Sequence, residues 1–201
     1  YFFLNKNEKV MDIGQTIFSF GVLFVGLNIM GDAMEPLSKT QLFADIMLKV
    51  SDSPALGVVV GALLTAIIQS SSASIAVLQN LASTAGPDGV TSIVGLVGAI
   101  PILFGTNIGT TVTALLASIG GSVNAKRTAI AHTLFNVGGT LLFIWFTPYI
   151  AEFIQAISPD GNELNVISRQ IANAHLCFNI ATTIVFIPLI GGLVRVVEKL
   201  I

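Results

Sequence analysis

Apolar positions along this chain gather in long runs, separated by short polar stretches. Ile13 to about Leu37 reads as a first membrane-spanning helix, punctuated by Gly14, Gly21, Gly26 and Gly31 and closed by Asp32, Glu35 and Pro36. Small residues at such spacing let helices approach closely in lipid. Residues 38–50 set Leu42, Phe43, Ile46, Met47 and Val50 at helical spacing among charges, which predicts an interfacial helix. Ser53 as N-cap and Pro54 at the first position then open a helix. Its apolar stretch, Ala55–Ile68, is only fourteen residues long. Gln69-Ser70-Ser71-Ser72 interrupts it, and Ala73–Ala85 continues up to a Gly86-Pro87-Asp88-Gly89 turn. The same design repeats downstream: Val90–Phe104 with Pro101 inside it, a polar break at Gly105–Thr111 (GTNIGTT), then Val112–Ile119. Lys126–Arg127 opens a span to about Phe146, ended by Pro148. Residues 149–168 read as a wetter connector with a turn at Ser158-Pro159-Asp160-Gly161-Asn162, and a last helix runs from about Arg169 to Lys199 with a bend at Pro188.

The predicted fold is therefore an all-α, polytopic membrane protein with two interrupted or re-entrant helical elements. A polar N-terminal segment (1–12) precedes a transmembrane domain (13–201).

Composition sharpens this picture. The chain is 53% hydrophobic and 10% charged, against about 25% charge in soluble domains. Between Asp52 and Lys126 the only charged residue is Asp88. Spans this long and this numerous are not a secretory signal. The net charge of −2 offers no basic surface to nucleic acid. Cys177 is the single cysteine, so no intrachain disulfide and no multi-cysteine metal site can form. His132 and His175 are the only histidines, and no CxxC, HExxH or Walker-type loop occurs. The usual residues of covalent catalysis and ATP hydrolysis are missing, which predicts that the protein is not an enzyme.

Four serines and a glutamine, Gln69, Ser70, Ser71, Ser72 and Ser74, inside an apolar region need a physical reason. Backbone groups cannot go unpaired in hydrocarbon, so unwound chain at membrane depth survives only inside protein or along a wet cavity. Serine hydroxyls compete for nearby backbone groups and weaken a helix. A break ends one half-helix and begins another. The new N-terminus suits an anion and the old C-terminus suits a small cation. Serine and threonine hydroxyls with the Gln69 and Asn107 amides can serve either ion without fixed charge. A tetrahedral oxyanion carried with sodium fits this set. Proton coupling fits it poorly, because neither break holds Asp, Glu or Lys.

A short echo links two further helices: AHTLFN at Ala131–Asn136 returns as AHLCFN at Ala174–Asn179. Asn136 and Asn179 are each an interhelical hydrogen-bond partner or a ligand. His132 and His175 read as structural residues, and Cys177 as a small buried one.

Gln69-Ser70-Ser71-Ser72 followed by Gly105-Thr106-Asn107-Ile108-Gly109-Thr110-Thr111 resembles the type II sodium-dependent phosphate cotransporters and their bacterial relatives. That family carries a QSSS signature in each of two inverted repeats. Gly57–Gln69 and the Lys126–Phe143 segment also look like the bacterial branch. The resemblance implies sodium-coupled transport (symport) of inorganic phosphate by alternating access, in the cell membrane and in the manner of a bacterial inner-membrane protein. It places phosphate at Ser70, Ser71, Ser72 and Thr110. It places the co-transported sodium ion at Gln69, Ser71, Asn107, Thr110 and Thr111. One QSSS copy is present where the family has two, so the chain is expected to be a fragment or a half-size protein completed by a second repeat or an antiparallel homodimer. Two rivals stand beside this reading: a carrier of another small oxyanion, and a non-transporting half-size subunit that needs a partner repeat. The basic residues are spread along the chain and do not fix its orientation.

Overall fold

The computed structural model describes residues 8–38, 40, 45, 49–50, 52–86 and 88–201. The interfacial helix expected over 38–50 and the start of the polar segment, residues 1–7, lie largely outside the described residues. The described residues form, in order, helices α1 (Glu8–Ser38), α2 (Pro54–Ile68), α3 (Ser71–Ala82), α4 (Gly95–Ala117), α5 (Val123–Phe143), α6 (Thr147–Ala156), α7 (Glu163–Phe186) and α8 (Ile190–Leu200). Single 3₁₀ turns, Ile144–Phe146 and Ile187–Leu189, join α5 to α6 and α7 to α8. Among the described residues, extended pairing is confined to one antiparallel bridge, Ala85 with Ser92. Four of the described helical stretches are long and apolar enough to cross a membrane: Glu8–Gly26, Gly95–Ala117, Val123–Ala156 and Glu163–Leu200. The protein is an all-α polytopic membrane protein.

α4 is the centre of the molecule. Its residues Gly98 to Asn107 are all buried, and α2, α3, α5, α6 and α7 all pack on it. Phe104 stacks on Phe178 of α7 with ring centroids 4.4 Å apart, and Phe143 meets the same ring at 5.9 Å. Pro101 sits inside α4, where it removes one helical hydrogen bond without ending the helix.

The tightest helix approach among the described residues is between α2 and α4. A Cβ added at Gly57 would touch Pro101 Cβ at 3.0 Å, and one at Gly61 would overlap the carbonyl oxygen of Ile102. From the other side, a Cβ at Gly105 would overlap the Val58 carbonyl oxygen, and one at Gly109 would stand 2.5 Å from that of Ala62. Two GxxxG stripes therefore press backbone on backbone, the arrangement by which small residues join helices in lipid. Rising numbers on α2 meet rising numbers on α4, so the two helices run parallel. α3 and residues 83–94 carry the chain back between them. That return is held by Asp88, whose carboxylate accepts hydrogen bonds from the Val90 and Thr91 N–H groups and the Thr91 hydroxyl. Those bonds, led by that of the Thr91 hydroxyl, hold the Asp88 carboxyl below its ordinary value.

Several boundaries differ from the sequence expectation. Ser53 and Pro54 open α2 as predicted, the Ser53 hydroxyl accepting from the Leu56 N–H at 3.4 Å. The second break does not exist: Gly105–Thr111 lies within one continuous helix that begins at Gly95. Its glycines serve the contact with α2, and its polar side chains bond back to their own helix. α5 ends at Phe143 and its 3₁₀ turn at Phe146, where the sequence placed the end of this span. Pro148 occupies the opening turn of α6, where its missing N–H costs nothing, and the apolar stretch continues with α6 to Ala156. The wetter connector shrinks accordingly, and α7 starts at Glu163, with Asn162 accepting from the Leu164 N–H as its cap. Pro188 lies in the 3₁₀ turn between α7 and α8, where the bend was predicted.

Candidate functional site

The first break is present and two residues long. Gln69 caps α2 in the left-handed region, with φ 57° and ψ 23°, and is the single non-glycine residue with positive φ among those described. Its N–H donates to the Thr65 carbonyl at 2.7 Å. Ser70 is extended and caps α3, its hydroxyl oxygen accepting from the Ala73 N–H at 3.3 Å. A glutamine has no local reason to take a left-handed conformation, which costs a non-glycine residue about 1–2 kcal/mol. Backbone strain of this kind gathers where a site needs it.

Two residues thus turn one helix end against another. The last carbonyls of α2 have no intrahelical donor, and the Ser71 and Ser72 N–H groups at the start of α3 have no intrahelical acceptor. A partial negative end and a partial positive end lie side by side. The serines here divide by role. Ser74 is buried and its hydroxyl donates to the Ser70 carbonyl at 2.9 Å, pinning the turn from within. Ser71 and Ser72 are half-buried and exposed respectively, Gln69 is exposed, and the side chains of these three make no hydrogen bond within the described residues. Hydroxyls that only satisfied their own helix would look like Ser74. Ser71 and Ser72 do not.

Asn107 and the threonines predicted to join this site have other attachments. Asn107 is buried; its amide nitrogen donates to the Leu103 carbonyl at 3.1 Å and its amide oxygen lies 3.3 Å from His175 Nε2 on α7. It ties two helices together, and Thr111 lies one turn on along the same stripe. The hydroxyls of Thr110 and Thr111 donate to the carbonyls of Asn107 and Ile108 at 2.6 and 2.8 Å. With those protons committed, Thr110 Oγ1 presents lone pairs, which suit a cation better than an oxyanion. The parallel register sets Gly109 against Ala62 and Thr65. One turn further brings the Gln69–Ser70 break level with the Thr110–Thr113 turn of α4. Thr110 and Thr111 lie in that turn of α4, and Asn107 lies about one turn before it.

Sequence reasoning passed over Thr65. It is fully buried, one turn before the break, and its hydroxyl has no partner among the described residues. Nothing in a lone threonine within an apolar run marks it. Only the contact with Gly109 places it there. The two echoed segments do share a geometry: Asn136 donates to the His132 carbonyl at 2.9 Å and Asn179 to that of His175 at 2.8 Å. They diverge at the histidine, since His132 is exposed whereas His175 is half-buried against Asn107. No group of three or more His, Cys, Asp or Glu residues is placed to hold a metal ion among the described residues.

Comparison with known proteins bears on this arrangement. A family model described as Na+/Pi-cotransporter matches residues 30–158, more than half of the chain. The chain belongs to the Na+/Pi-cotransporter family. The match takes in the break, all of α2 to α6 and the glycine contact. Among its relatives, "Uncharacterized protein YqeW" of Bacillus subtilis (strain 168) is 33% identical over 200 residues, and the chain spans 61% of its length. "Putative inorganic phosphate export protein YjbB" of Escherichia coli (strain K12) is 22% identical over the whole chain, which spans 35% of it. "Sodium-dependent phosphate transport protein 2B" of Homo sapiens is 37% identical over 92 residues, 44% of this chain and 12% of that protein. No solved structure matches. Two of these three relatives are named for phosphate export or sodium-dependent phosphate transport, and the chain spans well under two thirds of either.

Proposed function

We propose that this chain forms part of a carrier that moves inorganic phosphate across a membrane together with sodium, by alternating access. The observation that carries the reading is the break at Gln69–Ser70, which sets opposed helix ends beside serine hydroxyls that bond nothing else among the described residues. Phosphate would accept from the N–H groups and hydroxyls of Ser71 and Ser72, with Ser70 alongside. Sodium would take the carbonyls at the end of α2, the Gln69 amide oxygen and the lone pairs of Thr110. Sodium binding first would lower the electrostatic cost of bringing an anion to membrane depth. Gln69 and Ser72 face outward, so a further surface is expected to close the site. That surface would be a second repeat elsewhere in the full protein or a second copy of the chain. Sodium dependence rests on the names of distant relatives, and the family includes a protein named for export, so direction is an outcome to be measured.

The test is phosphate flux in proteoliposomes, in both directions, with sodium replaced by potassium or choline. A clear drop without sodium is expected, along with weak competition by sulfate. Equal flux in all three salts would remove the coupling. Sulfate competing as well as phosphate would move the reading to another oxyanion. Association with a partner without flux of its own would favour a non-transporting subunit.

A further inference from the structure

The ends of α5 and α8 meet at a cleft that shares no lining residue with the break. The first turns of α5, with Asn124 and Arg127, face the last turns of α8, with Val194, Val197 and Glu198, across a cleft of about 270 Å³. Its floor is apolar, since Val197 is 4% exposed, and its open edge carries Val194 at 47%. Arg127 lines the cleft, and its Nε is buried with no hydrogen-bond partner among the described residues. An unpaired guanidinium nitrogen out of reach of water costs free energy, more than a neutral group would. Thr128 beside it is already occupied, its hydroxyl donating to the Asn124 carbonyl at 2.9 Å.

Charge singles out this end of the molecule. Of the two helix ends that meet here, the basic residues are Lys126, Arg127, Arg195 and Lys199 and the carboxylate is Glu198. The opposite ends of the same two spans carry Glu152, Asp160 and Glu163 against Arg169. Asp88 joins that acidic end, because the Ser92 N–H donates to Glu163 and brings the loop there. Along the chain these charges alternate; in the fold they separate. Basic residues gathered at one end of membrane-spanning helices mark the side that faces the cytoplasm. Basic clefts between helices on that side take the headgroups of anionic lipids.

We propose that the α5–α8 cleft is a binding site for an anionic glycerophospholipid, phosphatidylglycerol in particular. The Arg127 guanidinium would grip the phosphodiester through two parallel hydrogen bonds from its terminal nitrogens, turning out of its buried, unpaired position to do so. The Asn124 amide would donate to a third oxygen. Glu198, which would repel a bare phosphate, accepts from the glycerol hydroxyls of the headgroup. The acyl chains leave over Val194 towards the hydrocarbon. Lys126, Arg195 and Lys199 supply the surrounding positive potential and favour a net-anionic lipid over a zwitterionic one.

The site is separate from the break, and its test does not depend on transport. The purified full-length protein is stripped of lipid, and phosphatidylglycerol, phosphatidylethanolamine or phosphatidylcholine is added back at equal mole fraction. Retained lipid is counted by native mass spectrometry. Phosphatidylglycerol is expected to be held, with Arg127→Gln weakening retention roughly five- to tenfold, on the scale of one interfacial cation. Free glycerol 3-phosphate should not compete, since it lacks the apolar anchor. Retention unchanged in Arg127→Gln, or phosphatidylethanolamine held equally well, would overturn the proposal. If Arg127→Gln does not fold, Arg127→Lys decides: the charge stays but the paired hydrogen bonds go, so weaker retention supports the site and unchanged retention removes it.

Discussion

Gly61→Ala and Gly105→Ala are each expected to abolish recovery of folded protein. One methyl is a small change, but at both positions it lands on a backbone carbonyl oxygen, of Ile102 and of Val58 respectively. A flexible side chain could turn aside; a helix backbone can yield only if α2 and α4 move apart. Added volume in a packed core already costs about 1–3 kcal/mol where side chains can adjust, and here the strain should exceed roughly 3 kcal/mol. That is a large share of a total stability of about 5–15 kcal/mol. Gly57→Ala should be milder, since its new Cβ meets only Pro101 Cβ at 3.0 Å. Gly26→Ala on α1 meets nothing within 4 Å and should be harmless, or better by up to about 1 kcal/mol from helix propensity. Size-exclusion profiles and thermal unfolding in detergent would rank the four. If Gly61→Ala melted with Gly26→Ala, the parallel α2–α4 contact would be incorrect.

Ser71→Ala is expected to lower phosphate transport by roughly ten- to a hundredfold while leaving the fold intact, since a hydrogen bond to a charged group is worth about 1.5–3 kcal/mol. Its hydroxyl bonds nothing among the described residues, so removing it leaves no partner stranded. Ser74→Ala should behave in the opposite way. Its hydroxyl holds the Ser70 carbonyl from a fully buried position, so its loss costs about 1 kcal/mol of stability. Transport per folded molecule should fall less than in Ser71→Ala. Gln69→Gly gives the clearest split. Glycine takes the left-handed cap freely, so stability should rise by up to about 1 kcal/mol, yet the amide is gone and the apparent affinity for sodium should fall. Uptake as a function of sodium concentration, read beside the unfolding midpoint, separates the two effects. Gln69→Gly with unchanged sodium dependence would show that the left-handed glutamine contributes nothing to binding. Equal losses for Ser71→Ala and Ser74→Ala would remove the serine run from the site.

The sequence by itself determined the class, the spans and the first break. Runs such as Thr128–Ala151 and Gln170–Val194 carry few or no charges, and the hydrocarbon phase leaves such a chain no other arrangement than a helix. Ser53-Pro54 and Gln69-Ser70 were legible because capping is local. A hydroxyl that can accept from an N–H three residues ahead announces a helix start wherever it lies. The Gly105–Thr111 segment was not legible, for a related reason. Glycine and threonine weaken a helix locally, but no residue there caps either half. Unwinding would leave carbonyls and N–H groups unpaired in an apolar core. The segment stays helical because α2 packs its backbone at Val58, Ala62 and Ala66 against Gly105 and Gly109, a partner far back in the chain. The tertiary structure alone also decided which hydroxyls are left to a ligand, that Asn107 meets His175, and that the basic residues of α5 and α8 collect at one end. Local propensity is set by neighbours within a turn or two. Close approach and charge separation are set by which helices come to lie side by side.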